Sequence, residues 1–351
     1  MKSQIRRHAM PLVLLSVLVG ATACGNDAGS VSSDEALDCS KAPTAAGDPA
    51  TIRIAYGKAA EEPLWLMDAM PSLTPHQGKS YELEMRQYDD AEKKLVAYQA
   101  SEVDAVVAPA PAQIVGTAKG ALNLVTLFTV MQEAGEGSFG TTFVVKPDSG
   151  IDDVEDLTGK AVGIHDFRST PDFLIRLALQ KAGLQTSDVD FVTIPFPAQL
   201  EALNAGVIDA AVVVEPFAAM ARNSENPPEV LFTSRDVTGY AYDQLLLSVD
   251  RDFAAENLRA VCDFRDDYAE TLAWYKQNVE EAKQAIVDAG YVDLPFDLYL
   301  QSQDYAQPDG GNFDPSSLEL LMDDMISVGL LDEDQRVDVE ELYAPGFTAG
   351  H

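Results

Sequence analysis

Histidine, cysteine and positive charge are all scarce in this chain, and each scarcity removes a class of function. The four histidines (His8, His76, His165 and His351) are scattered, with no spacing that would gather them on one metal ion. The three cysteines (Cys24, Cys39 and Cys262) form no C-x-x-C motif, so neither a zinc site nor a catalytic-cysteine constellation is visible, and no metal or cofactor is expected. Lys and Arg together number 24 against 57 Asp and Glu, a net charge of −33 at pH 7. A surface that acidic repels nucleic acid and anionic headgroups and argues against both as partners.

What is present begins with an address. Residues 1–23 have a basic start (Lys2, Arg6, Arg7), an apolar run from Met10 to Gly20, and the small residues Ala21–Thr22–Ala23. The run is too short to span a bilayer comfortably and reads as a secretory signal. Its loss removes three basic residues, leaving 21 Lys and Arg against the 57 acids, a net charge of −36. Cys24 follows directly and resembles the acylated cysteine of a bacterial lipobox, although Ala21 stands where Leu is usual; cleavage without lipid is the alternative. Residues 24–49, rich in Gly, Ser, Ala and Asp, read as a flexible tether. In an oxidising compartment Cys39 and Cys262 are candidates for one disulfide, though spacing leaves open whether they meet.

From Thr51 onward strands alternate with helices, the pattern of a largely parallel α/β architecture. Leu95–Ala105 lies on Leu200–Ala210 without a gap, at a shift of 105 residues, and the register holds on to Pro111 against Pro216. Each copy reads as helix, tight turn, buried strand and proline-marked loop. The expected fold is therefore two similar lobes joined by two crossover segments. Residues 50–140 and 246–351 would form the first lobe and 141–245 the second, with Gln244–Val249 as the apolar return strand. Parallel strands present ligands beyond their carboxyl ends. The loops there are Tyr56–Glu62, Tyr88–Asp90, Pro109–Gln113, His165–Thr170, Pro195–Gln199 and Glu215–Phe217, and facing lobes would bring them to one cleft. Phe253–Ala289 reads as mainly helical, with one face at Leu258, Val261, Phe264, Tyr268, Leu272 and Tyr275.

The run VKPDSGIDDVEDLTGKAVGI, the paired A-x-x-x-D-A motifs, Glu215–Pro216–Phe217 and the ending VGLLDEDQRVDVEELYAPGF resemble one family over roughly residues 50–347. It is the substrate-binding proteins of ABC importers for nitrate, sulfonates, taurine and thiamine pyrimidine precursors. The resemblance implies a type II periplasmic-binding-protein-like "Venus flytrap", monomeric, that holds a small solute between its lobes and delivers it to ABC permease subunits. It implies an exported lipoprotein on the extracytoplasmic side, touching the membrane through its N-terminal lipid only. A ligand-sensing lipoprotein is the alternative. An enzyme is a further one, since the same fold hosts pyrimidine-synthesis enzymes; His165 and Glu215 could pair as acid and base, but no nucleophile–base set is evident, and no enzymatic activity is expected. This chain departs from the family pattern at Val214, where Trp often precedes Glu-Pro, and at Asp166–Phe167, where Gly is common.

The candidate ligand-binding residues lie on the strand-end loops and the first crossing. Arg168 would contact ligand oxygens or a surface carboxylate, and Ser169 and Thr170 would cap the following helix or donate to ligand. Ser138, Gly140 and Thr141 would let backbone approach a ligand or serve as a plain hinge. Tyr56, Trp65 and Tyr88 could stack on a planar solute, with core packing the alternative for Trp65. Pro109, His165 and Pro197 end strands at the cleft, His165 as a strand-end residue rather than a metal ligand. Asp89, Asp90, Glu61, Glu62 and Glu215 would make the rim acidic, which favours a small nitrogenous and aromatic solute over an oxyanion.

Overall fold

The computed structural model describes residues 37–44, 47–133 and 140–348. The expected signal, Cys24, most of the tether and Ser138 lie outside the described residues. The first half runs through β1 (Ala50–Tyr56), α1 (Glu62–Ala69), β2 (Tyr81–Gln87), α2 (Ala91–Gln99), β3 (Ala105–Pro109), α3 (Ala110–Ala118) and β4 (Leu124–Glu133). The second comprises β5 (Thr142–Val145), β6 (Ala161–Ile164), α4 (Thr170–Lys181), β7 (Asp190–Thr193), α5 (Phe196–Ala205), β8 (Ala210–Val213), α6 (Phe217–Arg222), β9 (Glu229–Thr233) and α7 (Ser234–Thr238). The chain then returns through β10 (Tyr242–Asp250) to α8 (Arg251–Glu256), α9 (Leu258–Gln277), α10 (Val279–Asp288), α11 (Phe296–Tyr299) and α12 (Pro315–Ser327). No helix among the described residues is long and apolar enough to cross a membrane.

These strands make two sheets of one topology, β2-β1-β3-β10-β4 and β7-β6-β8-β5-β9. In each sheet the first three strands are parallel, and the fourth runs antiparallel to both neighbours. That fourth strand is in each case the one arriving from the other sheet: β5 follows β4, and β10 follows the second lobe. The Gln244–Val249 run is apolar on both faces because β10 is sandwiched between β3 and β4 and covered on both sides.

The internal repeat has a structural cause. The Asp104 carboxylate accepts the Arg53 N–H at 3.0 Å, and the Asp104 N–H donates to the Arg53 carbonyl at 2.8 Å. In the second lobe Asp209 makes the same pair of bonds with Ala161, at 2.9 and 2.7 Å. Each Asp thus ties the entrance of its lobe's third strand to the first.

Five features go beyond the sequence reading. The described part of the 24–49 tether is fastened: Leu37 is fully buried and Cys39 is bonded to Cys262, with Cα atoms 5.7 Å apart. The helical stretch 253–289 is divided into α8, α9 and α10, although the predicted face of α9 is the buried one. Its Tyr268 ring stacks on Phe128 at 3.7 Å. Helix α4 begins at Thr170, with Ser169 as its N-cap. Leu342, Ala344 and Phe347, past α12, are buried core residues. Finally, α12 does not belong to the first lobe alone. Leu318, Leu321, Met322 and Met325 share a core with Ile114 of α3 and with Phe173 and Leu177 of α4, so one side of the lobe junction is a continuous apolar seam.

Candidate functional site

The carboxyl ends of the two sheets face each other across a half-open cavity of about 140 Å³, room for a solute on the order of ten non-hydrogen atoms. At least one residue from each strand-end loop named above stands in or directly beside its wall, and the crossing segments complete it.

In the first lobe the wall is built by the turn after β1, the turn after β2, and the ends of β3 and β4. Glu61, at the N-terminus of α1, turns its carboxylate back to accept the Gly57 N–H at 2.9 and 3.1 Å. Beside it lies Lys94 of α2, with Nζ 3.8 Å from Glu61 Oε1, and both side chains are buried. Lys94 reaches this position because Ala91, Lys94 and Ala97 share the inward face of α2. Burial raises the Glu61 carboxyl to about 7, against the attraction of Lys94, and pushes the Lys94 ammonium down, against the attraction of Glu61. At the end of β4, buried Glu133 accepts the Thr141 N–H at 2.8 Å and the Thr141 hydroxyl at 3.1 Å. Burial raises its pKa as well. Gly140 gives room here, since a Cβ would fall 2.4 Å from the end of the Met131 side chain and 2.9 Å from the Glu133 carboxylate, so one of these would have to move.

The second lobe contributes His165, the start of α4, Pro195–Pro197, Val214 and Phe217. The His165 ring stacks on Phe196 at 4.2 Å and 7°. Burial first and the Lys94 charge second lower its pKa to about 4, while Asp90 and the Asp89 backbone oppose them. The imidazole is neutral, and its Nδ1 is buried without a partner. Ser169 caps α4, and Thr170 accepts a short hydrogen bond from Nε2 of Gln244 on β10. That leaves Gln244 Oε1 buried with no partner. Leu245 lies alongside, and Tyr305, from the stretch between α11 and α12, closes the wall while its hydroxyl donates to the Glu215 carbonyl across the junction at 2.7 Å.

Among the predicted residues, Tyr88, Asp89, Pro109, Gly140, Thr141, His165, Ser169, Thr170 and Pro197 line the cavity. Four do not. Trp65 is fully buried in the first lobe, stacked on Tyr291 at 5.8 Å and 14°, because its position on α1 faces α9 and α10. Tyr56 is tilted against the same Tyr291. Arg168 has a left-handed backbone (φ 62°), gives its N–H to Asp172 and leaves its side chain exposed. Glu215 is turned into its own helix, accepting the Ala219 N–H at 3.0 Å and the Arg222 guanidinium at 2.7 Å.

The acidic rim is also largely neutralised. Asp89 pairs with Lys58 at 2.9 Å, and Asp90 caps α2 and pairs with Lys93 at 2.8 Å. Glu62 is buried away from the cavity, its carboxyl raised to about 7 by burial. Lys94, Met131, Glu133, Phe196, Phe217, Gln244, Leu245 and Tyr305 were not singled out by sequence; the one available signal was a polar residue interrupting an apolar face or strand, which marks Lys94 and Gln244. Among the described residues no group of His, Cys, Asp or Glu has the arrangement to hold a metal ion.

The NMT1/THI5-like family model matches residues 80–282. No curated protein matches the chain in sequence. In structure it is similar to the periplasmic aliphatic sulphonate binding protein SsuA from Escherichia coli, at 18% identity and a TM-score of 0.65, with 86% of this chain and 100% of that one covered. The periplasmic nitrate-binding protein NrtA from Synechocystis PCC 6803 is similar at 14% identity and a TM-score of 0.67, covering 86% and 88%. The Candida albicans CA3427 gene product, described as exhibiting the generic periplasmic binding protein structural fold, is similar at 14% identity and a TM-score of 0.61, covering 84% and 97%. At such identities the likeness is one of fold.

Proposed function

The chain belongs to the NMT1/THI5-like family, and from that membership we propose that it is the extracytoplasmic solute-binding component of an ABC importer. It takes a small solute between its lobes and hands it to a membrane permease. The observation that carries this reading is the cavity between two lobes of one topology, lined from both sheets and both crossings. Its neighbours SsuA and NrtA are periplasmic binding proteins for aliphatic sulphonate and nitrate, which supports the same role here. Residues 1–23 are the export signal and Cys24 the lipid attachment point, so that the folded part works tethered at the outer face of the membrane as a monomer. The Cys39–Cys262 bond suits an oxidising compartment.

The site favours capture over turnover. Glu215, the base imagined for His165, is committed to Arg222 and the α6 backbone, which supports capture over that acid–base pairing. Native mass spectrometry of the full chain, dialysed and then exposed to a small-molecule extract of its own cells, tests the reading. A bound solute of stoichiometric mass, recovered unchanged, is expected. A protein that retrieves nothing, or that releases a chemically altered molecule, contradicts it.

A further inference from the structure

Helix α12 follows the return of the chain to the first lobe, yet its directed bonds run to the lobe junction and to the second lobe. Its start is held at the junction by Asp243, a fully buried residue of β10. One carboxylate oxygen of Asp243 accepts the Asp314 N–H at 2.6 Å, and the other accepts Nε2 of Gln132, on β4, at 3.1 Å. The Asp243 N–H in turn donates to the Ser317 hydroxyl at 3.1 Å. A single buried side chain thus joins both strands that lead between the lobes to the first turn of α12. Burial raises its carboxyl to about 6, against the bonds from Asp314 and Gln132. Beside it the pairing of β10 with β4 slips: Asp243 stands opposite Gln132 and Leu245 opposite Met131, with Gln244 between them. Such a bulge is where a strand bends.

The far end of the helix is clasped by the second lobe. The Tyr240 hydroxyl donates to Asp324 at 2.7 Å. Gln180 of α4 donates from Nε2 to the Ser327 carbonyl at 2.6 Å and accepts the Ser327 hydroxyl at 3.1 Å. Toward α3 of the first lobe α12 presents apolar side chains, Leu318, Leu321, Met322 and Met325 sharing a core with Ile114 and Val115. Among the described residues no hydrogen bond joins α12 to α3. Apolar contact has no preferred direction, so packed helices can slide on it, whereas hydrogen bonds hold position. Arg336, in the stretch leading back to the first lobe, pairs with Glu319 and Asp323 at the surface, where an ion pair holds weakly.

Taking the opening and closing of the capture reading as given, we infer that α12 travels with the second lobe: it turns about Asp243, stays with Tyr240 and α4, and slides over α3. Chain order places it after the return to the first lobe, but its bonds make it a moving part of the other one. Asp243 is then the pivot, and the Tyr240 and Gln180 bonds are the clasp.

The test is a set of spin-label distances in the full chain carrying Cys24→Ser. Labels are attached in pairs at Val96→Cys on α2, Val207→Cys after α5 and Leu320→Cys on α12, all three side chains being exposed. Without added solute, the distance distributions of pairs 96/207 and 96/320 should be about twofold wider than that of pair 207/320. Tyr240→Phe combined with Gln180→Ala should widen the 207/320 distribution about twofold by releasing the clasp. A 207/320 distribution as wide as the 96/207 one overturns the inference and leaves capture standing. A melting midpoint lowered by the double substitution with the 207/320 distribution unchanged also overturns it, because those bonds would then stabilise without steering. A narrow 96/207 distribution would mean that the lobes do not part, and would defeat the inference together with the capture cycle. The comparison of the three pairs needs neither substitution, so it decides even if the double variant fails to fold.

Discussion

At the scale of single residues the cavity is a place where burial competes with charge. His165 is held neutral: its folded pKa of about 4 lies below the usual value of about 6.5. Above that usual value both the folded and unfolded forms carry a neutral ring. As pH falls toward 4 the unfolded chain binds a proton that the folded one refuses, so the contribution of this residue to stability is lost across that window, by up to about 3 kcal/mol. Glu61 and Glu62 act in the opposite sense, since carboxyls raised to about 7 are relieved by protonation as pH falls. The His165→Asn variant isolates the first effect. Denaturant melts at pH 7.5 and 4.5 should show that the wild type loses more stability between the two than the variant does. Equal losses would mean that the imidazole is not buried as described.

Lys94 makes a second residue-scale prediction. Removing its charge leaves the Glu61 carboxylate buried beside the Gly57 N–H alone, so Lys94→Met should destabilise the protein by about 3 kcal/mol at pH 8. The loss should be smaller at pH 6, where Glu61 takes up a proton, and Glu61→Gln in the same chain should restore much of it. Urea midpoints of the two single variants and the double variant check this, and additive losses would contradict the pairing. The one hint of this in sequence is a polar residue between Ala91 and Ala97 on the same face of the helix; otherwise Lys94 looks like one of several helix-surface lysines. Its burial follows from the turn after β1 folding over α2, a contact between residues far apart in the chain. Arg168 failed for the converse reason: a cation at a helix start looks like an anion contact, but the left-handed turn there spends its N–H on Asp172 and sends the side chain outward.

Among the elements, the strands and their loops were the legible part. Parallel strands must end where helices begin, so runs such as Ala105–Pro109 and Ala210–Val213 announced both the sheets and the loops that face the cavity. The Asp of each repeat belongs to the same logic, because it serves strand pairing in both lobes. What sequence could not supply was the partner of the chain's late elements. Helix α12 reads as an ordinary amphipathic helix, and only the packed structure shows that its apolar face meets α3 and α4 together. The N-terminal segment is similar: composition reads as tether, while Leu37 and Cys39 are drawn into the first lobe. The Cys39–Cys262 bond spans 223 residues, and closing so long a loop in the unfolded chain is worth about 5 kcal/mol in the chain-entropy account. Cys39→Ser with Cys262→Ser should therefore lower the thermal midpoint by several degrees without weakening solute binding, as scanning calorimetry and titration would show. A loss of binding with an unchanged midpoint would contradict this assignment.

For the whole molecule, the chain crosses between lobes at β4–β5 and before β10, and α12 covers one side of that junction. In the proposed binding cycle, opening would swing on the α12 face and part the contact of the Tyr305 hydroxyl with the Glu215 carbonyl on the other. Tyr305 touches the cavity with its ring and the second lobe with its hydroxyl, so occupancy and closure act on one side chain. Tyr305→Phe should leave the fold intact and speed solute release by about tenfold, read as a change in dissociation rate by stopped-flow competition. An unaltered rate would place the latch elsewhere. The most direct measurement of the account as a whole is small-angle X-ray scattering of the full chain, stripped of solute and then saturated with whatever molecule it retrieves. The account predicts an expanded, open particle that contracts on binding; a scattering curve that is the same with and without bound solute would contradict it.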